Sequence, residues 1–275
     1  MPVISTNNAA NSALNFLNQN AAQETEKISM LASGSRIVHA SDDAAGLAIG
    51  TQLDANATVF QEDQVNITQG TSILQSTDGA LAQISNVLTR MMALATEAAS
   101  GQVTNVQRTQ DINTEYTQLK NEIGSVVNST TYAGQTLLTG SFLSNVKFLV
   151  GTLSSNFLTV SLASVSVFGL LGTTASSVST AALALGAING VGSAINQITK
   201  DRAQVGAYES QFNFSGQDIG TNIQNIQAAA SVIMDADVAS VKASLSANDL
   251  LTQASVAALT QASQLPQELL RLLQQ

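Results

Sequence analysis

The chain contains no cysteine, no tryptophan, only two prolines and only one histidine among its 275 residues. Without cysteine it can form no disulfide, no thiolate nucleophile and no sulfur-ligated metal site. The single histidine, His39, also excludes metal sites built from two imidazoles. Because the prolines are Pro2 and Pro266, nothing between them removes a backbone hydrogen-bond donor, and long uninterrupted helices are permitted.

Charged side chains are also scarce, at 11% of the residues, and their balance is acidic, with a formal net charge of −9. Nucleic-acid binding requires a basic footprint, so we expect no nucleic-acid partner. The first eight residues lack the basic start and apolar core of a secretory signal. Residues 148–199 carry no charge, but serine, threonine and asparagine interrupt them too often for a membrane-spanning helix, so we expect no membrane insertion.

Two long segments repeat apolar side chains every seven residues, which is the spacing of a coiled-coil seam. The first repeat predicts one helix from about Ala44 to Ser100, and the second predicts a matching helix in the other half of the chain. A shorter repeat predicts a third helix between about Gln102 and Asn128. The repeats consist of Leu53, Phe60, Ile67, Leu74, Leu81, Leu88 and Ala95, then Val191, Ile198, Val205, Phe212, Ile219, Ile226 and Ile233, and finally Ile112, Tyr116, Leu119, Ile123 and Val126.

Both ends of the chain carry further apolar helical faces with very little charge. The N-terminal face ends at Ser33-Gly34, where glycine is a typical C-cap, and the C-terminal face follows a predicted break near Asn248-Asp249. The two faces consist of Val3, Ala10, Leu14, Leu17, Ala21, Ile28 and Leu31 at one end, and of Leu251, Ala258, Ala262, Leu265, Leu269 and Leu272 at the other.

The middle of the chain has a different pattern. Residues 146–151 and 156–162 alternate like strands on either side of a serine-rich turn, which predicts a β-hairpin. A helix of about 56 residues is ~84 Å long, whereas a compact sphere of this chain length is only ~48 Å across. The fold class we predict is therefore mainly α, an elongated coiled-coil-like helical bundle with one β-hairpin.

The polar residues offer few patterns typical of catalysis or metal binding. His39, Ser41 and Asp42 could be drawn as a catalytic triad, but triads need distant residues that a scaffold brings together, and these are nearly consecutive. We interpret Ser41 as a helix N-cap that places Asp42 and Asp43 in the first helical turn. No calcium-loop spacing surrounds these carboxylates or the pair Asp235 and Asp237, so we expect no metal, no cofactor and no enzyme activity.

Six segments carry a family resemblance, and they stand in the same order as in that family. They read LASGSRI (31–37), SDDAAGLAI (41–49), YAGQTLLTG (132–140), RAQVGA (202–207), SVIMDADVA (231–239) and QASQLPQELL (261–270). Together they closely resemble the bacterial flagellins over about residues 1–140 and 185–275. The chain departs from the usual family pattern at residues 38–41, where many relatives carry a small polar run with a basic residue.

This resemblance implies an arrangement of domains. The N- and C-termini would pair as helices in an inner domain (1–33 and 248–275), joined by a linker (34–43) to an outer helical domain (44–247). The outer domain would carry the hairpin near 146–162 and a short segment at about 141–182 in place of large variable outer domains. The chain is similar to a core-only flagellin.

The resemblance also implies a function and a set of partners. The chain would be the structural subunit of the flagellar filament, exported by the flagellar type III apparatus, covered by a secretion chaperone, and located outside the cell. Its terminal faces would serve polymerisation with copies of itself, and filament cap and hook-junction proteins would be neighbours. The alternatives are a hook-filament junction protein and a surface flagellin homologue that acts as a binding or adhesion protein.

A final implication concerns the vertebrate toll-like flagellin receptor. Arg90, Leu94 and Glu115 match positions that this receptor reads in many flagellins, whereas Glu97 stands where glutamine is common. We therefore expect partial recognition. The other interpretation is that Leu94 and Glu115 serve contacts within the filament, and the sequence does not separate the two.

Overall fold

The computed structural model describes residues 7–139, 144–172 and 175–273, with side chains described up to residue 264. The chain divides into two compact units, the first formed by residues 1–56 and 225–275 and the second by residues 57–224. The mainly α class is confirmed. The helices are α1 (Asn8–Ser33), α2 (Ala44–Ala99), α3 (Asn105–Gln107), a π-helix (Arg108–Ile112), α4 (Asn113–Ser129), α5 (Val167–Leu171), α6 (Ala181–Met234) and α7 (Val238–Leu273).

In the first unit, α1 packs against α7, so the predicted pairing of the two ends as helices is confirmed. The Asn7 side chain caps the start of α1 by accepting a hydrogen bond from the backbone of Ala10 at 3.1 Å. Gly34 ends α1 in the left-handed conformation, with φ 72°, as the sequence predicted. The backbone that follows α1 pairs with the turn between α6 and α7, since Arg36 N–H donates to the Met234 carbonyl at 2.7 Å.

The predicted break near Asn248-Asp249 is wrong, because α7 is continuous through these residues. The interruption lies earlier, between Met234 and Val238, where the Asp237 carboxylate accepts from the backbone of Ala239 at 3.0 Å and starts α7. Asn248 faces inward and is half-buried, so packing overrides its weak helix propensity.

The start of α2 also differs from the prediction. Its N-cap is Asp43, whose carboxylate accepts from the backbone of Gly46 at 2.8 Å, and not Ser41. Asp42 lies outside the helix and accepts from the backbone N–H groups of His39 and Val38 at 2.8 and 3.1 Å. The hydrogen bond from His39 is the main reason why the pKa of Asp42 is lowered. Both aspartates therefore serve local backbone structure.

The second unit is built on the two long seams. Ile67, Leu74, Leu81 and Leu88 of α2 and the seven-residue repeat of α6 from Val191 to Ile219 are buried, as the sequence predicted. The two helices run antiparallel, because Gly70 contacts Phe212 while Arg202 donates to the carboxylate of Asp78 at 2.8 and 3.1 Å. A Cβ on Gly70 would overlap the Phe212 ring, so the glycine is what lets this aromatic side chain enter the seam.

The predicted third helix is present but is interrupted near its start by the π-helix. Arg108, at the first position of the π-helix, is buried and donates to the carbonyls of Ala98, Ser100 and Val103 at 2.6, 3.2 and 3.0 Å. These carbonyls lie at and just beyond the end of α2, where helix carbonyls lack partners within the helix. The sequence analysis missed this cap, since a lone arginine near the start of a predicted helix carries no pattern that points to another helix.

The predicted hairpin consists of strands β3 (Val146–Leu149) and β4 (Phe157–Val160), which follow a smaller hairpin of β1 (Thr131–Tyr132) and β2 (Gln135–Thr136). The strands β3 and β4 are antiparallel, with Phe148 opposite Leu158. Phe148 meets Phe212 of α6 edge to face, with ring centroids 5.1 Å apart. The Asn66 amide of α2 donates to the Leu149 carbonyl at 3.4 Å, so both long helices hold the hairpin.

Two buried carboxyl groups lie in the seams of the second unit. Asp63 of α2 is 1% exposed and Asp201 of α6 is 5% exposed. Burial raises the pKa of both groups, against a smaller lowering by hydrogen bonds from Asn66 and Gln197 respectively. The folded state therefore favours their protonated forms.

The contact between Gly70 and Phe212 gives a first prediction. Gly70→Ala should destabilise the second unit by about 1–3 kcal/mol, since the added methyl group overpacks the seam. Gly79→Ala is the matched control on the same helix, because nothing lies within 4 Å of its Cβ position. The free energy of unfolding of the control should rise by up to about 1 kcal/mol, because alanine has a higher helix propensity than glycine. Urea unfolding followed by circular dichroism would measure both, and equal effects would contradict this account of the seam.

The buried Asp201 gives a prediction about pH. Its pKa is higher in the folded state, so the proton stabilises the fold, and that stability is lost as the pH rises through the folded-state value. Asp201→Asn should therefore have a higher Tm than the unsubstituted chain at pH 7, and the difference should shrink as the pH falls towards 4. Asp218→Asn, at an exposed position of the same helix, should show no such trend.

Candidate functional site

The contact between α1 and α7 is a seam with coiled-coil spacing. Its members are half-buried or buried residues that alternate by three and four positions on each helix. We call this set the terminal seam: Ala10, Ala13, Leu17, Asn20, Glu24, Lys27 and Leu31 of α1, with Val241, Leu245, Asn248, Thr252, Ser255, Leu259 and Ala262 of α7.

Hydrogen bonds cross the terminal seam between side chains of the two helices. Asn20 Nδ2 donates to Ser255 Oγ at 3.0 Å, and Thr252 Oγ1 donates to Glu24 Oε2 at 3.3 Å. The Asn7 amide, just before α1, donates to the Ala262 carbonyl at 2.7 Å. These contacts show that α1 and α7 are antiparallel and that polar layers help to set their register.

The structure divides the predicted terminal faces into two groups. Ala10, Leu17, Leu31 and Ala262 lie in the terminal seam, whereas a second group is exposed on the outer sides of the two helices. We call this second group the terminal stripe, and it consists of Leu14, Ala21, Ile28, Leu251 and Ala258. Val3 lies outside the described residues, and Leu265, Leu269 and Leu272 belong to α7 in a part where side chains are not described.

The terminal stripe is apolar. Leu14, Ile28 and Leu251 are 43%, 49% and 51% exposed. Residues 8–23 and 250–267 contain no charged side chain, whereas Ile28 lies beside Lys27. Apolar side chains that recur at exposed positions of two packed helices are typical of a surface that another molecule covers. The first unit therefore presents a surface suited to association.

The proposed receptor residues lie in the second unit and fall into two environments. Arg90 and Glu115 form an exposed ion pair between α2 and α4, with Nε 2.8 Å and Nη2 2.6 Å from the same carboxylate oxygen. Leu94 is only 2% exposed and belongs to the core. The structure thus brings Arg90 and Glu115 together at the surface, whereas Leu94 is buried and not accessible to a receptor.

His39, Ser41 and Asp42 lie close together at the surface. His39 Nδ1 lies 3.8 Å from one oxygen of the Asp42 carboxylate, and Ser41 Oγ lies 3.4 Å from the other. Both neighbours thus contact the aspartate, whereas in a catalytic triad the histidine lies between the serine and the aspartate. Tyr116 is fully buried, its hydroxyl donates to the Ala175 carbonyl at 2.9 Å, and burial raises its pKa to about 12. Within residues 7–139, 144–172 and 175–273, no group of three or more histidine, aspartate or glutamate side chains could hold a metal ion.

One helix of the described part, α6, is long and apolar enough to cross a membrane by length and composition alone. Its seven-residue repeat from Val191 to Ile219 is buried in the core of the second unit, whereas Leu183 and Leu185 near its start are 42% and 59% exposed. Packing within the chain therefore accounts for part of its apolar composition.

Comparison with known proteins agrees with this architecture. Residues 4–142 match the family model for the bacterial flagellin N-terminal helical region, and residues 188–273 match that for the C-terminal helical region. The flagellar filament 30.7 kDa core protein of Treponema maltophilum is 33% identical over 98% of this chain and 99% of its own length. The flagellin of Halalkalibacterium halodurans is 31% identical over the same shares. The crystal structure of Bacillus cereus flagellin is similar with a TM-score of 0.51 and 28% identity, covering 60% of this chain and 94% of that one.

The chain is therefore built as a helical, self-associating structural protein, and it belongs to the bacterial flagellin family. It is a structural filament protein and not an enzyme. Relatives named as flagellins and as flagellar filament core proteins do not favour the alternatives of a hook-filament junction protein or a surface binding protein.

The different environments of the receptor candidates give a third prediction. Leu94→Ala should destabilise the chain by about 2–5 kcal/mol, because it leaves a cavity in the core. Glu115→Ala should cost less than about 1 kcal/mol, because it breaks only an exposed ion pair. Thermal unfolding measures both. Equal losses would show that Leu94 is not the core residue that the structure describes.

Proposed function

We propose that the chain builds the flagellar filament through its terminal helix pair, with the terminal stripe covered by neighbouring copies. The observation that carries this proposal is the exposure of Leu14, Ile28 and Leu251, with Leu14 and Leu251 in stretches of α1 and α7 that carry no charge. Full burial of such a side chain is worth about 1.5–3 kcal/mol, so several per subunit give a strong driving force for association. Contacts that join the stripe of one copy to a different surface of the next would extend into a helix instead of closing into a dimer.

The sequence predicted an inner domain of residues 1–33 and 248–275, with 34–43 as linker and 44–247 as outer domain. Because α7 is continuous from Val238, we propose that the C-terminal part of the inner domain begins there and not at residue 248. The pairing of α1 with α7 supports the inner domain. Of the predicted polymerisation residues, we assign Leu14, Ala21, Ile28, Leu251 and Ala258 to contacts between copies. The seam residues Ala10, Leu17, Leu31 and Ala262 hold the pair together and so act indirectly.

We also propose the route and the neighbours that such a subunit requires. The chain would leave the cell through the flagellar export apparatus, with a secretion chaperone covering the exposed apolar side chains of α7 before export. In the extracellular filament, cap and hook-junction proteins would meet the two ends of the polymer. The toll-like flagellin receptor would meet the exposed pair of Arg90 and Glu115, without a contact to the buried Leu94.

The polymerisation proposal is tested by electron microscopy of filament growth. Purified, heat-dissociated chain would be cooled with short filament seeds, beside the variant Leu14→Ser/Ile28→Ser and a version lacking residues 1–33. The unsubstituted chain should form long filaments and the truncated chain none. Leu14 and Ile28 are 43% and 49% exposed in the single chain, so the double variant loses ~1.5–3 kcal/mol of further burial, and the concentration it needs for growth should rise about ten- to a hundredfold.

The matched control is Asn11→Ser/Asn18→Ser, which changes two exposed polar positions of the same helix. This control should grow like the unsubstituted chain. Circular dichroism would show that every variant keeps the second unit folded. Normal growth of Leu14→Ser/Ile28→Ser would refute the role of the stripe, and a folded, unsubstituted chain that makes only short rings would refute the polymer itself.

A further inference from the structure

We infer that two polar layers of the terminal seam, Asn20 with Ser255 and Glu24 with Thr252, fix the roll of α1 on α7 and so keep the terminal stripe turned outward. This inference rests on the proposed function, since the stripe is the surface that neighbouring copies are proposed to cover. It assigns to four polar side chains the role of positioning residues for assembly.

The need for such a device follows from the sequence of α1. The helix carries one row of seam residues, Ala10, Leu17, Glu24 and Leu31, and this row is flanked on one side by Ala13, Asn20 and Lys27 and on the other by Leu14, Ala21 and Ile28. At 100° per residue, a roll of about 50° would exchange one flank for the other against α7. The second flank is the more apolar, so burial of hydrophobic surface alone favours the rolled arrangement.

The structure shows the less apolar flank in the seam, and the hydrogen bonds explain why. Asn20 Nδ2 lies 3.0 Å from Ser255 Oγ, and Thr252 Oγ1 lies 3.3 Å from Glu24 Oε2, one helical turn away along both helices. Asn20 and Ser255 are themselves half-buried. A roll would break the Asn20 contact and place Ala21, which has no polar side-chain group, opposite the Ser255 hydroxyl, and unpaired buried polar groups are costly.

A polar residue in a coiled-coil seam is known to specify register at some cost in stability. Here the same effect specifies which face stays free. If α1 rolled, the stripe residues of α1 would be buried against α7 of the same chain. They would then no longer be available to neighbouring copies. The polar layers therefore act against a competing arrangement of the same two helices.

The absence of cysteine makes the roll directly measurable. Ala13→Cys places one thiol in the terminal seam, and Ala21→Cys places one in the terminal stripe, with the same change of side chain. In the otherwise unsubstituted chain, the thiol at position 21 should react with a maleimide faster than the thiol at position 13. The ratio of the two rates reports the roll of α1.

The layer variant combines Asn20→Ala, Glu24→Ala, Thr252→Ala and Ser255→Ala with each probe. Alanine favours helix, so both helices should persist while the polar layers are lost. The rate ratio should fall by about tenfold, which corresponds to ~1.4 kcal/mol, and elongation from seeds should slow. The matched control carries Asn15→Ala, Asn18→Ala, Gln253→Ala and Gln261→Ala at exposed positions and should leave ratio and growth unchanged.

A conservative variant separates the hydrogen bonds from mere bulk or charge. Glu24→Gln/Ser255→Thr keeps an acceptor at position 24 and a hydroxyl at position 255, and it should behave like the unsubstituted chain. An unchanged rate ratio in the layer variant overturns the inference, and so does a loss of helicity in that variant. Equal reactivity of the two thiols in the unsubstituted chain overturns it as well. A different result would refute the proposed function: the unsubstituted chain reacts faster at position 21 than at position 13 but does not elongate. In that case the rate ratio of the layer variant would still test the inference about the roll of α1.

Discussion

The spacing of apolar side chains at every seventh residue is the constraint on which the rest of the structure depends. It appears in α2 and α6, and burial of the two repeats brings these helices together over the second unit. Every other element there takes its place from that seam. Phe212 enters it beside Gly70, the β3–β4 hairpin lies on Phe212 through Phe148, and Arg108 covers the end of α2.

The two seams of the chain use the same geometry with different chemistry. The second unit fills its seam mainly with leucine, isoleucine and valine, whereas the terminal seam mixes leucine, valine and alanine with asparagine, serine, threonine, glutamate and lysine. Apolar layers give stability without much specificity, and polar layers give specificity at the cost of stability. The terminal pair therefore depends more on polar layers than the second unit does.

Sequence reasoning predicted the elements that depend on long periodic patterns. The limits of α2 and the strands of the hairpin agree with the structure closely, because Leu and Ile repeats and alternating strands carry strong signals. It failed where a single hydrogen bond decides which of two nearby residues caps a helix. Asp43 and Ser41 are both good caps, and only the backbone path makes Asp43 the cap of α2.

The candidate site shows the same limit on a larger scale. The sequence identified α1 and α7 as interaction helices, but it put Leu14 and Ile28 on one heptad face with Leu17 and Leu31 because all four side chains are apolar. The structure combines Leu17 and Leu31 with Asn20 and Lys27 in the terminal seam instead. A pattern of hydrophobicity describes how much surface a helix can bury, but it does not say whether the partner belongs to the same chain.

The β3–β4 hairpin has a consequence for how this chain can diversify. Its strands are held through Phe148 and the Leu149 carbonyl, while residues 152–156, at the tip between the strands, are exposed and touch neither seam. A loop anchored at its base tolerates added length at modest entropic cost. Evolution, or an engineer displaying foreign peptides, can therefore lengthen this tip and alter the outer face of the subunit without repacking the helices that carry it.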